Sequence, residues 1–197
     1  TMGNGKPALG YIGLGLMGGP MTERLLDAGC PVTVWNRSRD KIVPALEKGA
    51  REGAFPADVA RNSDIVQTCV TDGAAMEDVV FGSGGIVEGA TADKILIDYS
   101  TIPPDAARDM AARLKDKTGM RWIDAPVTGG VVGARAGALV VFAGGDEADI
   151  EAVRPHREQV AREPVELVDQ NAKILASRRR LDTHELLRSQ TEHQLIV

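Results

Sequence analysis

Short apolar runs alternate with longer amphipathic stretches along most of this 197-residue chain. Apolar runs bounded by turn residues predict strands at residues 8–12, 32–35, 65–70, 95–98, 121–123, 138–143 and 165–168. Stretches with helical periodicity predict helices at residues 17–28, 40–48, 56–61, 74–81, 104–117 and 147–161. Because strands and helices alternate, βαβ units are expected, and the predicted fold is α/β with a doubly wound, mostly parallel sheet over residues 6–168.

Composition and charge narrow the class of protein. The chain is 43% apolar and 26% charged, with a formal net charge of −5, which is typical of a soluble globular protein and unfavourable for a nucleic-acid partner. No apolar run approaches the ~20 residues of a membrane span, and the first residues lack the pattern of a signal peptide. The two cysteines form no CxxC pair, and His184 and His193 fit no metal-site pattern. A cytoplasmic protein without a membrane partner or a bound metal is therefore expected.

A glycine-rich turn follows the first predicted strand. Gly13, Gly15 and Gly18 have the spacing GxGxxG and precede the first predicted helix. The order strand, glycine turn and helix is typical of Rossmann-like sheets that bind dinucleotides, because the glycines permit a tight turn and a close approach of the backbone to the pyrophosphate. The positive end of the helix dipole then faces the anion. The turn predicts binding of NAD or NADP.

The end of the second predicted strand bears on the choice between NAD and NADP. NAD-binding domains place an acidic residue there, which bonds the ribose 2′-hydroxyl. Here Asn36 takes that position, and Arg37, Ser38 and Arg39 follow it. A carboxylate would repel a 2′-phosphate, whereas a guanidinium and a hydroxyl would bind one. NADP is therefore favoured over NAD, with a solvated turn as the alternative interpretation of the arginines.

Two further loops are expected beside the cofactor, since ligands of open α/β sheets lie at the carboxyl ends of the strands. The third strand runs into Val70 and Thr71, and Thr101 follows the fourth. These residues are predicted to contact the cofactor. Thr101 is also a candidate cap of the next helix, and the two roles are compatible.

A second glycine cluster carries a family resemblance. Residues 122–145 read W-I-D-A-P-V-T-G-G-V-V-G-A-R-A-G-A-L-V-V-F-A-G-G. Together with G-L-G-L-M-G-G-P-M at residues 13–21, and C-V-T-D and D-Y-S-T between them, the sequence resembles the β-hydroxyacid dehydrogenases. This family includes 3-hydroxyisobutyrate dehydrogenase and glyoxylate/succinic semialdehyde reductase. The resemblance covers residues 8 to about 160.

The resemblance implies a role for each matching position. The family's D-x-S-T loop contacts the nicotinamide half of the cofactor, which implies that role for Thr101. Its D-x-P-V-S-G-G loop holds the substrate carboxylate, which implies that role for Thr128, Gly129 and Gly130, with threonine replacing the usual serine. A turn without a ligand is the alternative for these three residues. The positions that match the family's NAD(P)-binding start are Gly13, Leu14, Gly15, Leu16, Met17 and Gly18.

The sequence departs from the family at the general acid/base. In the family, a lysine in a G-x-G-x-x-K-x-x-x-N pattern protonates the carbonyl oxygen as hydride arrives. Lys173 is the lysine of the corresponding window, but the G-x-G turn is missing and Ser177 stands in place of the asparagine. Lys173 is therefore either the catalytic lysine after a short deletion or an ordinary surface lysine.

Residues 169–197 do not follow the family. They are predicted to be the remnant of an interdomain helix or a divergent, disordered tail. The family continues into an all-helical domain that closes the substrate cleft and forms its homo-oligomers, and this domain is expected to be missing here. Without it, Val131, Val132 and Leu139 are expected to form an exposed apolar patch.

Three hypotheses for function follow. The first is an NADP-preferring oxidoreductase that transfers hydride between the nicotinamide and a small 3-hydroxy acid or semialdehyde, with a small carboxylate as substrate. The alternative is a non-catalytic or degraded NADP-binding module that lacks the domain needed for turnover. The third is a relative with other chemistry, such as imine reduction.

Overall fold

The computed structural model describes residues 6–157 and 166–167. The strands are Leu9–Ile12 (β1), Val32–Trp35 (β2), Arg51–Glu52 (β3), Ile65–Thr68 (β4), Ile95–Asp98 (β5), Arg121–Asp124 (β6), Val127–Thr128 (β7), Val140–Ala143 (β8) and Glu166–Leu167 (β9). The α-helices are Gly18–Asp27 (α1), Val43–Glu47 (α2), Pro56–Arg61 (α3), Gly73–Phe81 (α4), Pro104–Thr118 (α5), Gly130–Ala136 (α6) and Glu147–Arg157 (α7). Short 3-10 helices occupy Arg39–Ile42 and Ile86–Glu88.

Six strands form one parallel sheet in the spatial order β3-β2-β1-β4-β5-β6. The chain begins in the middle of the sheet, winds out to β3, crosses back to β4 and winds out to β6. Because the direction of winding reverses between β1 and β4, a crevice is expected there at the carboxyl ends of the strands. The prediction of a Rossmann-like, doubly wound α/β fold is confirmed.

A smaller sheet extends this architecture. Strand β7 pairs antiparallel with β8, and β8 pairs parallel with β9. An isolated bridge between Asp124 and Gly144 joins the end of β6 to the residue that follows β8. Because β4, β5 and β6 are parallel, the β6–β7 connection starts at the edge of the main sheet where β4 and β5 end.

The six-stranded sheet is buried on both faces. Leu9 and Tyr11 pack into the layer of α1, α2, α6 and α7, while Ile12 and Leu96 pack into the layer of α3, α4 and α5. At Gly10 a Cβ atom would lie 2.5 Å from the nearest side-chain carbon of α3, so this helix packs directly on β1. Double coverage explains why residues 95–97 are continuously apolar instead of alternating.

The predicted strands 32–35 and 95–98 and the predicted helix 56–61 have the observed bounds. The predicted strand 65–70 instead ends at Thr68, because the Val70 N–H donates to the Ser100 hydroxyl rather than to a strand neighbour (2.9 Å). The predicted helix 40–48 is a 3-10 turn followed by α2, which has a proline in its first turn. Helix α7 begins as predicted and is described as far as Arg157.

Two of the described strands, one α-helix and the 3-10 helix Ile86–Glu88 were not predicted. Strand β3 consists of two exposed charged residues, so it carries no apolar signal. Strand β7 is equally short, and α6 begins within the Thr-Gly-Gly sequence, where glycines oppose a helix prediction. Position in the fold, rather than local preference, determines these elements.

None of the described helices is long and apolar enough to cross a membrane. The predicted domain boundary after residue 168 and the tail 169–197 lie outside the described residues.

Candidate functional site

The turn between β1 and α1 has no room for a Cβ atom at two of its three glycine positions. Gly13 has a φ of +92°, and a Cβ atom there would lie 2.2 Å from the Cys69 carbonyl oxygen. A Cβ atom on Gly18 would lie 2.0 Å from the Gly13 carbonyl oxygen. Gly15 differs, because no atom lies within 4 Å of the position of its Cβ. The first and third glycines are needed for packing, and the second faces open space.

The amino end of α1 is available to an anion. No side chain caps this helix, and its first turn holds no acidic residue. Leu14 is buried beneath the turn, whereas the side chain of Leu16 is 81% exposed. An uncapped helix N-terminus behind a glycine turn, with open space at Gly15, is the arrangement that binds a phosphate.

Asn36 connects the glycine turn to the loop after β2. Its Oδ1 accepts a hydrogen bond from the Leu14 N–H (2.9 Å), and its Nδ2 donates to the Ser38 carbonyl oxygen (2.9 Å). An aspartate could accept the first bond but could not donate the second. The sequence predicts a cofactor-binding role for Asn36, and the structure adds its bonds to the two loops.

The two arginines after Asn36 differ in their contacts. Arg39 makes a bidentate ion pair with Glu52 of β3, with both N–O distances at 2.8 Å. Arg37 is exposed, and its charge acts on Asp72 in the loop after β4. The pKa of Asp72 is lowered chiefly by the hydrogen bond from the Ala75 N–H, and Arg37 adds to this effect. Arg39 is therefore held by β3, whereas Arg37 remains the predicted partner of the cofactor at this position.

The loops after β4 and β5 are tied together. Val70 donates its N–H to the Ser100 hydroxyl (2.9 Å), and the Tyr99 N–H donates to the Thr68 carbonyl oxygen (2.8 Å). Thr71 and Thr101 are both exposed in these loops. Sequence reasoning missed Ser100, although the D-Y-S-T sequence contains it.

Thr101 is not the cap of α5. That helix begins at Pro104 with Pro103 at the N-cap position and has no side-chain cap. The Thr101 side chain is therefore left exposed, as its predicted contact with the cofactor requires.

The Thr-Gly-Gly segment joins β7 to α6. Thr128 is exposed at the end of β7, and Gly129 and Gly130 have φ values of +121° and +58°, which side chains oppose. Arg24 of α1 donates to the Arg135 carbonyl oxygen near the end of α6 (3.3 Å). This contact holds the end of α6, the helix that follows the predicted substrate loop, against α1.

A cleft of about 500 Å³ lies between the glycine turn, α2 and α6. The structure thus brings the glycine turn and the α6 segment to one open surface. The residues that line this cleft are Leu14, Gly15, Leu16, Gly19, Pro20, Glu23, Asp40, Lys41, Pro44, Ala45, Val131 and Arg135.

The predicted apolar patch is only partly present. Val132 is 81% exposed, and Val131 is intermediate. Leu139 is fully buried, which contradicts the prediction, because it packs beneath Gly129 and Gly133 in the core.

Two carboxyl groups lie side by side at the ends of β5 and β6. Asp98 and Asp124 are paired in the strand register, and adjacent strands lie about 4.8 Å apart. Asp98 is fully buried, and burial raises its pKa although bonds from Ser100 and Thr68 lower it. Burial and then the Asp98 charge raise the pKa of Asp124 to about 6, against the opposing effect of Arg108.

Lys173, the predicted general acid/base, lies outside the described residues. Within residues 6–157 and 166–167, no cluster of His, Cys, Asp and Glu side chains could hold a metal ion.

Comparison with known proteins identifies the family. Residues 8–171 match the model of the NAD-binding domain of 6-phosphogluconate dehydrogenase. An uncharacterized oxidoreductase of Shewanella frigidimarina is 42% identical over 146 residues, which is 74% of this chain and 50% of the relative. The chain spans about half the length of the curated oxidoreductases that it matches.

Two solved structures are similar over most of the chain. The 3-hydroxyisobutyrate dehydrogenase of Mycobacterium tuberculosis, with L-serine, is 28% identical with a TM-score of 0.77, covering 84% of this chain and 55% of that one. A protein described as Psf3 in complex with NADP+ and 2-OPP is 29% identical with a TM-score of 0.80, covering 93% of this chain and 62% of that one.

The glycine turn generates the first prediction. Gly15→Ala leaves the free energy of unfolding within about 1 kcal/mol of the wild type, because its Cβ meets no protein atom. Its affinity for NADPH falls at least ~10-fold, since the methyl group occupies the space that the phosphate needs. Gly18→Ala is instead destabilised by about 1–3 kcal/mol through overpacking. Urea denaturation and calorimetric titration measure the two effects; unchanged affinity in Gly15→Ala would contradict this assignment.

The carboxyl pair generates a pH prediction. Because the pKa of Asp124 is about 6 when folded and that of an unfolded aspartate is about 3.9, the charged form is disfavoured in the folded state. Its contribution to stability therefore declines as the pH rises from about 4 through 6. Relative to the wild type, Asp124→Asn gains stability between pH 4 and pH 8 in denaturant titrations. The exposed Asp116→Asn on α5 is the control, and an equal pH response of the two variants would refute the prediction.

Proposed function

The chain belongs to the family of oxidoreductases whose cofactor domain is the NAD-binding domain of the 6-phosphogluconate dehydrogenase type. On that premise we propose that it is an NADP-preferring oxidoreductase that transfers hydride between the nicotinamide and a small 3-hydroxy acid or semialdehyde. The observation that carries the proposal is the glycine turn, in which packing requires glycine at positions 13 and 18 while Gly15 faces open space. When bound, the nicotinamide donates or accepts the hydride.

Binding of the pyrophosphate is assigned to the β1–α1 turn. The residues given this role are Gly13, Leu14, Gly15, Leu16, Met17 and Gly18. Uncapped N–H groups at the amino end of α1 supply hydrogen-bond donors, and the helix dipole adds a partial positive charge. Asn36 holds the turn in place through the Leu14 N–H, so the donors are oriented before the cofactor arrives.

The preference for NADP over NAD is assigned to Arg37 and Ser38. Both are exposed immediately after Asn36, and the two loops of this region lie close enough for Arg37 to act on Asp72. A guanidinium makes short, charge-assisted hydrogen bonds to a phosphate. The NADP+ bound by the Psf3 protein is consistent with this preference.

The nicotinamide half and the substrate are assigned to the remaining loops. Val70, Thr71 and Thr101 lie at the carboxyl ends of β4 and β5, beside the β1–β4 crevice. Thr128, Gly129 and Gly130 would hold a substrate carboxylate through a hydroxyl and backbone N–H groups. The proton that accompanies hydride transfer is assigned to Lys173 on the sequence alone.

The arginines provide a matched pair of variants that test the cofactor preference. Arg37→Ala lowers the affinity for NADPH by about 10–100-fold, because it removes a charge-assisted hydrogen bond worth about 1.5–3 kcal/mol. The affinity for NADH stays unchanged, because NADH has no 2′-phosphate. Arg39→Ala has a smaller effect on NADPH, because Glu52 holds its guanidinium. Calorimetric titration of both variants with both cofactors measures this. Equal losses of NADPH and NADH affinity in Arg37→Ala would remove the basis for NADP preference.

Turnover tests the substrate. With NADPH or NADP+, the chain is assayed against small semialdehydes, 3-hydroxy acids and cyclic imines. Thr128→Val keeps the side-chain shape but removes the hydroxyl, so kcat/KM for an acid substrate falls about 10–100-fold while the affinity for NADPH stays unchanged. Turnover of the imines alone would exclude the hydroxy-acid substrate. NADPH binding without any turnover would favour a non-catalytic NADP-binding module.

A further inference from the structure

Asp98 is a fully buried carboxyl group whose two oxygens have different surroundings. Its Oδ1 accepts hydrogen bonds from the Thr68 hydroxyl and the Ser100 N–H, both at 2.9 Å. Its Oδ2 is buried and has no hydrogen-bond partner among the described residues. A buried carboxylate with one unpaired oxygen is costly when charged and far less costly when protonated.

This carboxyl group lies where three loops begin. Thr68 is the last residue of β4, and the loop that follows contains Val70. Ser100 belongs to the loop after β5 and receives the Val70 N–H on its hydroxyl, so Asp98, Ser100 and Val70 form one chain of hydrogen bonds. The Asp98 carbonyl oxygen accepts the Ala125 N–H (2.7 Å), which fixes the start of the β6–β7 connection.

The charged and titratable groups near Asp98 come from several elements. The Asp124 carboxyl on β6 is its register neighbour, Cys69 follows β4, and Tyr11 lies on β1. Burial and then Asp98 raise the pKa of Cys69 to about 11, so this thiol carries no charge near neutral pH. A cation, Arg108 of α5, acts on Asp124. Asp124 lines an open cavity of about 140 Å³, whereas Asp98 is sealed in the sheet.

We propose that Asp98 is a positioning residue, which holds the β4–α4, β5–α5 and β6–β7 loops in the arrangement that lets nicotinamide and substrate bind side by side. The inference rests on the proposed function, because these loops carry Thr71, Thr101 and Thr128. Asp98 itself touches neither ligand and acts through Ser100 and Thr68.

Asp98 and Asp124 are register neighbours, so the two carboxyl groups lose their protons as an interacting pair. When the pH rises far enough to ionise both groups, two adjacent carboxylates face each other and an uncompensated charge lies in the sheet. The ends of β5 and β6 then move apart, and the loops lose their common arrangement. Cofactor affinity therefore falls with rising pH in the wild type.

The experiment compares Asp98→Asn, Asp98→Ala and the wild type over pH 6–9.5. Dissociation constants for NADH and NADPH are measured by fluorescence titration, and NADH serves to exclude ionisation of the 2′-phosphate. Asp98→Asn keeps an oxygen for both donors but cannot ionise, so its NADH affinity is independent of pH while that of the wild type falls at least ~10-fold. Asp98→Ala removes the acceptor, so its affinity is lower at every pH.

Asp149→Asn is the matched control. Asp149 of α7 is another buried aspartate, which accepts a hydrogen bond from Arg121 at the start of β6 (2.6 Å), away from the three loops. This variant is less stable than the wild type but keeps the wild-type pH dependence of NADH affinity. The control separates the effect of a weakened fold from the effect of Asp98.

The possible results distinguish the two proposals. If the folded wild type binds neither cofactor at pH 6, the proposed function fails. If the wild type binds and Asp98→Asn follows the same pH curve, the positioning role of Asp98 is wrong while the proposed function stands. A flat curve for Asp98→Asn beside a falling curve for the wild type and for Asp149→Asn supports the role.

Discussion

The structure depends on how closely the β1–α1 turn approaches the backbone of its neighbours. A Cβ atom on Gly18 would clash with the Gly13 carbonyl oxygen, and a Cβ atom on Gly13 would clash with the Cys69 carbonyl oxygen. This contact fixes β1, the start of α1 and the end of β4 relative to one another, at the place where the winding of the sheet reverses. The open space at Gly15 and the uncapped amino end of α1 follow from it.

Polar side chains then connect loops that the sheet merely brings near one another. Asn36 joins the glycine turn to the loop after β2, and Ser100 joins the loops after β4 and β5. Asp98 and Thr68 anchor the second connection inside the sheet. These bonds are made within the protein, so the candidate site is largely formed in the absence of a ligand, and little ordering energy is lost when one binds.

Much of the fold could be predicted from the sequence, because strands covered on both faces read as apolar runs and the glycine spacing marks the first turn. The exposed pair Arg51–Glu52 and the glycine-rich α6 could not, since their conformations depend on neighbours distant in sequence. For the same reason, the expectation that Leu139 lies at the surface was wrong. The ion pair between Arg39 and Glu52 could not be predicted either, because the two residues are brought together only by the pairing of β2 and β3. The candidate site residues could be proposed from glycine, threonine and arginine positions in the sequence. The role proposed for Asp98 could not, because it depends on the burial of its side chain, which only the structure shows.

The central claim is that this chain folds into an NADP-binding site at its glycine turn. Calorimetric titration of the unmodified chain with NADPH and then with NADH tests it most directly. We expect one molecule of NADPH to bind with micromolar affinity and NADH to bind much more weakly. A folded chain that binds neither cofactor would contradict the claim, and equal affinity for both would overturn the preference for NADP.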